Sequence, residues 1–136
     1  MAGQKNSVGS RFEELRLILD RMKMGERVGV CLDTCHAFAS GFDLSGPEVV
    51  SQSMAVFEDS IGNNRLKVVH LNDSKGALGS NLDRHENIGK GKIGMKGMNA
   101  FLHYKGITER PLIMETPYRD LKGMKESLSL VCSLLG

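Results

Sequence analysis

Histidine and acidic side chains follow three short apolar runs in this sequence, and they are of the types that bind divalent metal ions. Asp33, His70 and Glu115 each end or directly follow such a run. Short apolar runs of this kind are typical of strands that are buried on both faces. Imidazole and carboxylate groups bind zinc, manganese or iron when a rigid element supports them. The pattern therefore predicts a metal site at the ends of three strands.

Two short motifs add further candidate ligands, one at Asp33 and His36 and the other at Asp83 and His85. Taken singly, an Asp after a strand is usually a helix cap, and a lone His is usually a satisfied polar residue. Three of the four histidines nevertheless lie at or just beyond predicted strand ends, whereas His103 falls within a predicted helix and is expected to be structural or solvent-facing. This convergence favours metal binding. The candidate ligands are Asp33, His36, His70, Asp83, His85 and Glu115.

A set of six ligands exceeds what one ion normally takes from a protein, so the pattern implies a centre with more than one ion. Such centres suit phosphoryl chemistry, because one ion activates a water molecule while another stabilises the leaving oxygen. Arg84 lies between two candidate ligands and is predicted to contact a phosphate, together with Ser74 and Lys75. A solvated loop side chain is an equally good interpretation of Lys75.

The three cysteines are expected to be reduced thiols of an intracellular protein. Cys31, Cys35 and His36 could also suggest a structural zinc site, but no second Cys/His pair at finger spacing follows. We expect Cys31 instead to pack within its strand as a small apolar residue. The pair Gly89 and Gly91 lacks the strand-then-helix context of a dinucleotide-binding fingerprint and predicts a turn.

Helices and strands alternate along the sequence, which predicts repeated β-α units and a parallel sheet. The fold class is therefore α/β, with about three parallel strands and flanking helices in one unit. Ser7 or Ser10 could cap the first helix and Ser45 the second. The predicted elements are a helix from 12 to Gly25, a strand at 27–32, a loop to 46, a helix from Pro47 to 61, a strand at 66–71, a long loop, a helix at 95–104, a strand at 111–114 and a helix at 121–134.

Composition excludes several classes of protein. The 136 residues are 40% hydrophobic and 25% charged, with a net charge of +2 that is too small to argue nucleic-acid binding by itself. Aromatic residues make up 5% and Trp is absent, so platforms for stacking single-stranded bases are not expected. No apolar run approaches the length of a membrane span, and the pattern of a signal peptide is missing.

Several motifs spread over nearly the whole chain closely resemble the endonuclease IV family of apurinic/apyrimidinic (AP) endonucleases. They are CLDTCH at 31–36, FASGFDL at 38–44, VHLNDS at 69–74, DRH at 83–85 with IGKG at 88–91, and PLIMETP at 111–117. The resemblance implies an eight-stranded (β/α) TIM barrel with three zinc ions, with manganese as a possible substitute. It also implies cleavage of the phosphodiester 5′ to an abasic site during base-excision repair. The related xylose-isomerase-like sugar isomerases share the barrel but not these motifs.

The resemblance also implies which residues hold each ion. One zinc would be bound by His36, Asp83 and His85. The second would be bound by Asp33, His70 and Glu115, together with a bridging glutamate that would lie upstream of Met1. The third would be bound by two histidines that have no counterpart in this sequence.

Residues 1–136 are thus expected to form the C-terminal part of such a barrel, an incomplete single domain with three of eight strands. Because three strands cannot close a barrel, both sheet edges would be open to pairing or self-association. We expect little activity from the chain alone.

Its expected partners are double-stranded DNA with abasic sites and a missing N-terminal half, and not a membrane. The expected location is the cytoplasm or nucleoid of a prokaryote, or the nucleus or mitochondrion of a eukaryote. The alternatives are an inactive metal-binding or interaction fragment, or a xylose-isomerase-like sugar isomerase or epimerase.

Overall fold

The computed structural model describes residues 8–9, 11–23, 27–118 and 120–136. Helices and short strands alternate within these ranges, and a 3-10 turn at Asn63–Arg65 precedes the second strand. The elements are α1 (Phe12–Arg21), β1 (Val30–Asp33), α2 (Thr34–Ala39), α3 (Pro47–Ser60), β2 (Leu66–His70), β3 (Asp73–Ser74), β4 (His85–Glu86), α4 (Gly94–Leu102), β5 (Leu112–Ile113) and α5 (Leu121–Leu135).

Three of the strands form one parallel sheet in the order β1-β2-β5. Asp33 lies level with His70 in the register, and His70 lies level with Ile113. The carboxyl ends of the three strands therefore meet at one edge of the sheet. This arrangement confirms the predicted α/β class with three parallel strands, which do not close a barrel among the described residues.

One face of the sheet lies in the hydrophobic core, against the helices. Leu32 and Val69 on this face are buried, as are the fully enclosed Phe57 of α3 and Phe101 of α4. The opposite face, which we call the open face, carries the exposed Cys31 and Ile113. The prediction that Cys31 packs as an apolar strand residue is wrong, because side chains alternate along a strand and the described residues cover only one face of this sheet.

The pairing of β1 with β2 contains an irregularity at its start. Val30 pairs with Leu66 but Cys31 pairs with Val68, so that Lys67 is an extra residue in β2. This is a β-bulge, and it changes which residues of β2 share a face. Gly29 lies beside it, and a Cβ atom at Gly29 would overlap the Lys67 side chain.

Two elements were not predicted from the sequence. The segment directly after Asp33, for which the sequence predicted no helix, forms α2, because the Asp33 carboxylate accepts a hydrogen bond from the His36 N–H (3.0 Å) and caps the helix. The long loop between β2 and α4 contains an antiparallel pairing of β3 with β4. Elements of six and two residues are too short to show a hydrophobic period.

Helix ends also differ from the predicted ones. Gly46 rather than Ser45 precedes α3, and the Ser45 hydroxyl instead donates to the Asp43 carboxylate (2.6 Å). The predicted caps Ser7 and Ser10 and the predicted stop at Gly25 lie outside the described residues. Within the described part of the chain, none of the helices has the length and apolar character needed to cross a membrane.

Candidate metal centre

The three parallel strands bring Asp33, His70 and Glu115 together. Asp33 and His70 are the last residues of β1 and β2, and Glu115 lies just beyond β5. The His70 Nδ1 atom is 2.9 Å from Glu115 Oε2 and 3.7 Å from Asp33 Oδ2. One donor atom of each residue lies within 4.8 Å of the other two, which is compact enough to surround a single ion.

A second group of donors lies directly beside the first. The His36 Nε2 atom is 2.8 Å from Asp83 Oδ1, and His85 Nε2 is 3.6 Å from the same oxygen. His85 Nε2 also lies 3.6 Å from Asp33 Oδ2. Asp33 therefore lies between the two groups, and its donors also form a compact set with those of His36 and His85. All six ligands predicted from the sequence are thus placed at one edge of the sheet.

Two histidine nitrogens in this cluster have no hydrogen-bond partner among the described residues. The Nε2 atoms of His36 and His85 are buried, and neither makes a hydrogen bond, although carboxylate oxygens lie nearby. His85 Nδ1 is 3.1 Å from the Glu115 carbonyl oxygen, which can only accept, so Nδ1 carries a proton and Nε2 is the ring nitrogen left to bind a metal ion. A buried imidazole nitrogen without a hydrogen-bond partner is unfavourable, and a metal ion held between it and the neighbouring carboxylate oxygens would satisfy both groups. The donor set therefore fits a divalent metal ion.

Cys35 lies close to these donors. Its sulfur forms a compact group with Asp83 and His85 and is fully buried. Burial raises the pKa of the Cys35 thiol, although a hydrogen bond with Ser74 opposes this. Because the thiolate, not the thiol, is the metal ligand, a raised pKa disfavours Cys35 as a ligand.

Cys31 belongs to none of the candidate donor groups found among the described residues. Desolvation raises the pKa of its thiol, and the Asp33 charge adds to this effect. The alternative of a structural zinc site built on Cys31, Cys35 and His36 therefore has no geometric support.

A fully buried asparagine connects the two acidic residues of the first group. Asn72 Nδ2 donates to Asp33 Oδ2 (2.9 Å), and the backbone N–H of Glu115 donates to Asn72 Oδ1 (2.8 Å). Residues 72–74 fall at the start of the segment that the sequence predicted to be a long polar loop. They are instead completely buried, and β3 begins at Asp73. A polar run directly after an apolar strand is the signal that could have indicated this.

Asp73 supports the loop that follows the second donor group. Its carboxylate accepts backbone hydrogen bonds from Gly91 (2.9 Å), Ile93 (3.0 Å) and Gly94 (3.2 Å). Gly89 has a φ of 77°, in the left-handed region that favours glycine. These contacts confirm the turn predicted around Gly89 and Gly91.

The three residues predicted to contact phosphate are placed differently. Arg84 is exposed and donates to the Asp83 carbonyl (2.7 Å), and the exposed Lys75 lies 3.9 Å from Glu86. Ser74 is fully buried, and its hydroxyl donates to the Gly76 carbonyl (3.0 Å). Its side chain therefore cannot meet a phosphate in this conformation, so we retain only Arg84 and Lys75. His103, at the end of α4, is exposed as expected.

Metal-capable side chains at the carboxyl edge of a parallel sheet with covering helices are typical of the α/β barrel class, which places its active sites there. The chain belongs to the xylose isomerase-like TIM barrel family, whose model matches residues 1–134.

Relatives of this chain carry endonuclease names. A probable endonuclease 4 of Chlorobium phaeovibrioides is 49% identical over 133 residues, which cover 98% of this chain and 47% of that protein. An apurinic-apyrimidinic endonuclease of Caenorhabditis elegans is 49% identical over 117 residues, covering 86% of this chain and 30% of that protein.

A solved structure also resembles this chain. The crystal structure of endonuclease IV from Thermus thermophilus matches with a TM-score of 0.86 and 36% identity, covering 99% of this chain and 47% of that one. The resemblance to endonuclease IV inferred from the motifs is confirmed. The chain spans about half the length, or less, of the relatives it matches.

Proposed function

We propose that this chain provides part of the metal centre of a zinc-dependent AP endonuclease, which hydrolyses the DNA phosphodiester 5′ to an abasic site. The observation that carries the proposal is the pair of buried, unpartnered Nε2 atoms of His36 and His85, which face the Asp33 and Asp83 carboxylates. The names of the relatives supply the substrate, since they include endonuclease 4 and an apurinic-apyrimidinic endonuclease.

The proposed ligands form two neighbouring groups. His36, Asp83 and His85 would hold one ion, and Asp33, His70 and Glu115 would hold a second. Bound divalent ions would stabilise negative charge on a phosphate and lower the pKa of a nearby water molecule. Imidazole and carboxylate donors suit zinc, and manganese is the alternative.

The chain's own side chains would also orient the DNA. Arg84 projects beside two proposed ligands and is exposed, so its guanidinium is available to a phosphate oxygen. Lys75 is exposed directly after β3 and would add a second positive charge. Contacts of this type fix the position of the duplex but do not read its sequence.

A third ion bound by two more histidines would need residues that this sequence does not provide. Of its four histidines, three lie in the centre and His103 is exposed at the end of α4. We therefore propose that full activity requires a further polypeptide segment, placed against the open face and edges of the sheet. Such a protein would act where DNA is, in the cytoplasm or nucleoid of a prokaryote or in the nucleus or mitochondrion of a eukaryote.

Incision of a duplex that contains one abasic site tests the proposal. The chain is loaded with zinc and assayed alone and with the N-terminal half of the Thermus thermophilus enzyme. We expect cleavage 5′ to the abasic site only in the mixture. His85→Ala should abolish it, whereas the matched control His103→Ala should not. A zinc-loaded, associated mixture that leaves the duplex intact would contradict the proposal.

The family's description also fits a sugar isomerase of the same barrel architecture. We favour the endonuclease because the motifs and the names of the relatives agree. Turnover of an aldose or ketose by the same mixture, without incision of DNA, would reverse this choice.

A further inference from the structure

The side chain of Asn72 continues the parallel sheet beyond the point where its backbone pairing ends. The last backbone hydrogen bond between these segments runs from the Leu71 N–H to the Ile113 carbonyl (2.7 Å). The next one runs from the Glu115 N–H to Asn72 Oδ1 (2.8 Å). A side-chain oxygen thus takes the place of a backbone carbonyl where the chain turns towards the metal centre, and it fixes the backbone of Glu115.

The other end of the same amide fixes Asp33. Asn72 Nδ2 donates to Asp33 Oδ2 (2.9 Å), while Asp33 Oδ1 accepts from the His36 N–H at the start of α2 (3.0 Å). Both carboxylate oxygens are therefore held, and the carboxylate cannot rotate. Oδ2 is also the oxygen that lies 3.7 Å from His70 Nδ1 and 3.6 Å from His85 Nε2. The oxygen bonded by Asn72 is thus the one that faces both donor groups.

Asn72 is itself held rigidly. It is completely buried, and its backbone N–H donates to Thr34 Oγ1 (2.9 Å), whose hydroxyl in turn lies 2.6 Å from the Asn72 carbonyl. The orientation of its amide is unambiguous, because a carboxylate can only accept and the Glu115 N–H can only donate. The site requires a donor and an acceptor on one short side chain, which is the chemistry of asparagine.

We propose that Asn72 is a positioning residue of the metal centre, which holds the Asp33 carboxylate and the Glu115 backbone in the arrangement that binds the ion. The inference rests on the proposed function, since it takes Asp33 and Glu115 as ligands. Groups that orient metal ligands in this way typically change metal affinity by about 10–100-fold when they are replaced. Asn72 is therefore expected to set the affinity and geometry of the site as well as the stability of the fold.

The test measures binding of zinc to the metal-free full chain, using a chromophoric competing chelator, and the visible absorption spectrum of bound cobalt. Asn72→Leu has a similar volume and lacks both hydrogen-bonding groups. We expect its zinc affinity to fall by about 10–100-fold and its cobalt spectrum to change. Asn72→Ser, whose hydroxyl is too short to reach both partners, should change both properties in the same direction and guards against failure of the leucine variant to fold.

Asp73→Asn is the matched control. Asp73 is adjacent and equally buried, but its recorded hydrogen bonds go to backbone N–H groups of residues that are not proposed ligands. Its replacement should lower the melting temperature and leave zinc affinity within about twofold of the wild type, well below the change expected for an orienting residue. A melting temperature that falls in the Asn72 variants with unchanged affinity and spectrum would show a purely structural role.

A double-mutant cycle shows whether Asn72 acts through Asp33. In an Asp33→Asn background, Asn72→Leu should weaken the remaining metal binding by less than it does in the wild type, because the carboxylate it orients is gone and only the bond from the Glu115 N–H remains to be lost. An equally large effect in both backgrounds would overturn the proposed route. If the wild-type chain bound no ion at all, the proposed function would fail together with this inference. An Asn72 variant with wild-type affinity would overturn this inference alone.

Discussion

Replacing Gly91 by alanine should destabilise the protein strongly, because the backbone of this loop packs directly against β3. A Cβ atom at position 91 would overlap Asp73 Oδ1 and lie 2.5 Å from the Ser74 carbonyl oxygen. Both obstacles belong to a completely buried strand, so neither can move aside freely. The loop would have to withdraw by roughly 1 Å to reach an ordinary carbon–oxygen contact of about 3.3 Å.

The expected loss in the free energy of unfolding of the Gly91→Ala variant is the sum of two contributions. Overpacking of a buried site costs about 1–3 kcal/mol. Withdrawal of the loop also breaks the hydrogen bond from the Gly91 N–H to Asp73 Oδ2 (2.9 Å). A hydrogen bond to a charged group contributes about 1.5–3 kcal/mol. The free energy of unfolding should therefore fall by about 2.5–6 kcal/mol, a large part of the about 5–15 kcal/mol typical of a native protein.

Urea unfolding of the metal-free chain, followed by circular dichroism, measures this loss without a contribution from bound ions. Gly123→Ala is the matched control, because a Cβ atom there would lie 3.5 Å from its nearest neighbours, at the start of helix α5. Alanine at this helical position should stabilise the protein by about 0.5–1 kcal/mol. An unfolding midpoint of the Gly91→Ala variant at or above that of the wild type, with the control behaving as expected, would refute the close packing of this loop.

Three further outcomes follow from the structure. His36→Ala should lower zinc binding measured by a competing chelator by at least about 10-fold, whereas His103→Ala should leave it unchanged; equal effects would contradict the ligand assignment. Because the pKa of Cys31 is raised, alkylation of this exposed thiol in the metal-free chain should have its pH midpoint above that of a free cysteine, and a midpoint at or below that value would exclude the desolvated environment. Phe57→Ala should cost about 3–5 kcal/mol in urea unfolding, since the ring is completely buried, and a loss below about 1 kcal/mol would contradict its place in the core.

The parallel sheet and its cluster of donors could be predicted because both follow from local patterns. Short apolar runs indicate strands, and helices that connect successive strands indicate that those strands are parallel. Parallel strands place their carboxyl ends at the same edge of the sheet. Asp33 and His70 ended their runs in the sequence and end their strands in the structure. Glu115 was expected at the strand end and lies two residues beyond it, because β5 is shorter than its apolar run.

The features that escaped prediction depend on contacts between distant parts of the chain. Asn72 bonds residues 39 and 43 positions away, which no local pattern records. Helix α2 has only six residues and begins at Thr34. The sequence analysis weighed helix capping against metal binding for Asp33, whereas in the structure its carboxylate caps α2 and also lies among the metal-capable donors. The exposure of Cys31 depends on which face of the sheet the helices cover. The packing of helices on the sheet cannot be read from the residues around Cys31.

The extra residue in β2 decides the direction in which His70 points. In an uninterrupted strand, residues at even spacing share one face, so Leu66 in the core would take His70 into the core with it. With Lys67 as the bulge, Leu66 and Val69 are both buried although they are three residues apart, and His70 emerges beside Asp33. The direction of the imidazole is therefore set about three residues, or ~10 Å of extended chain, before the histidine itself. Deletions or insertions in residues 65–68 should therefore abolish metal binding at the centre, although these residues supply none of its donor atoms.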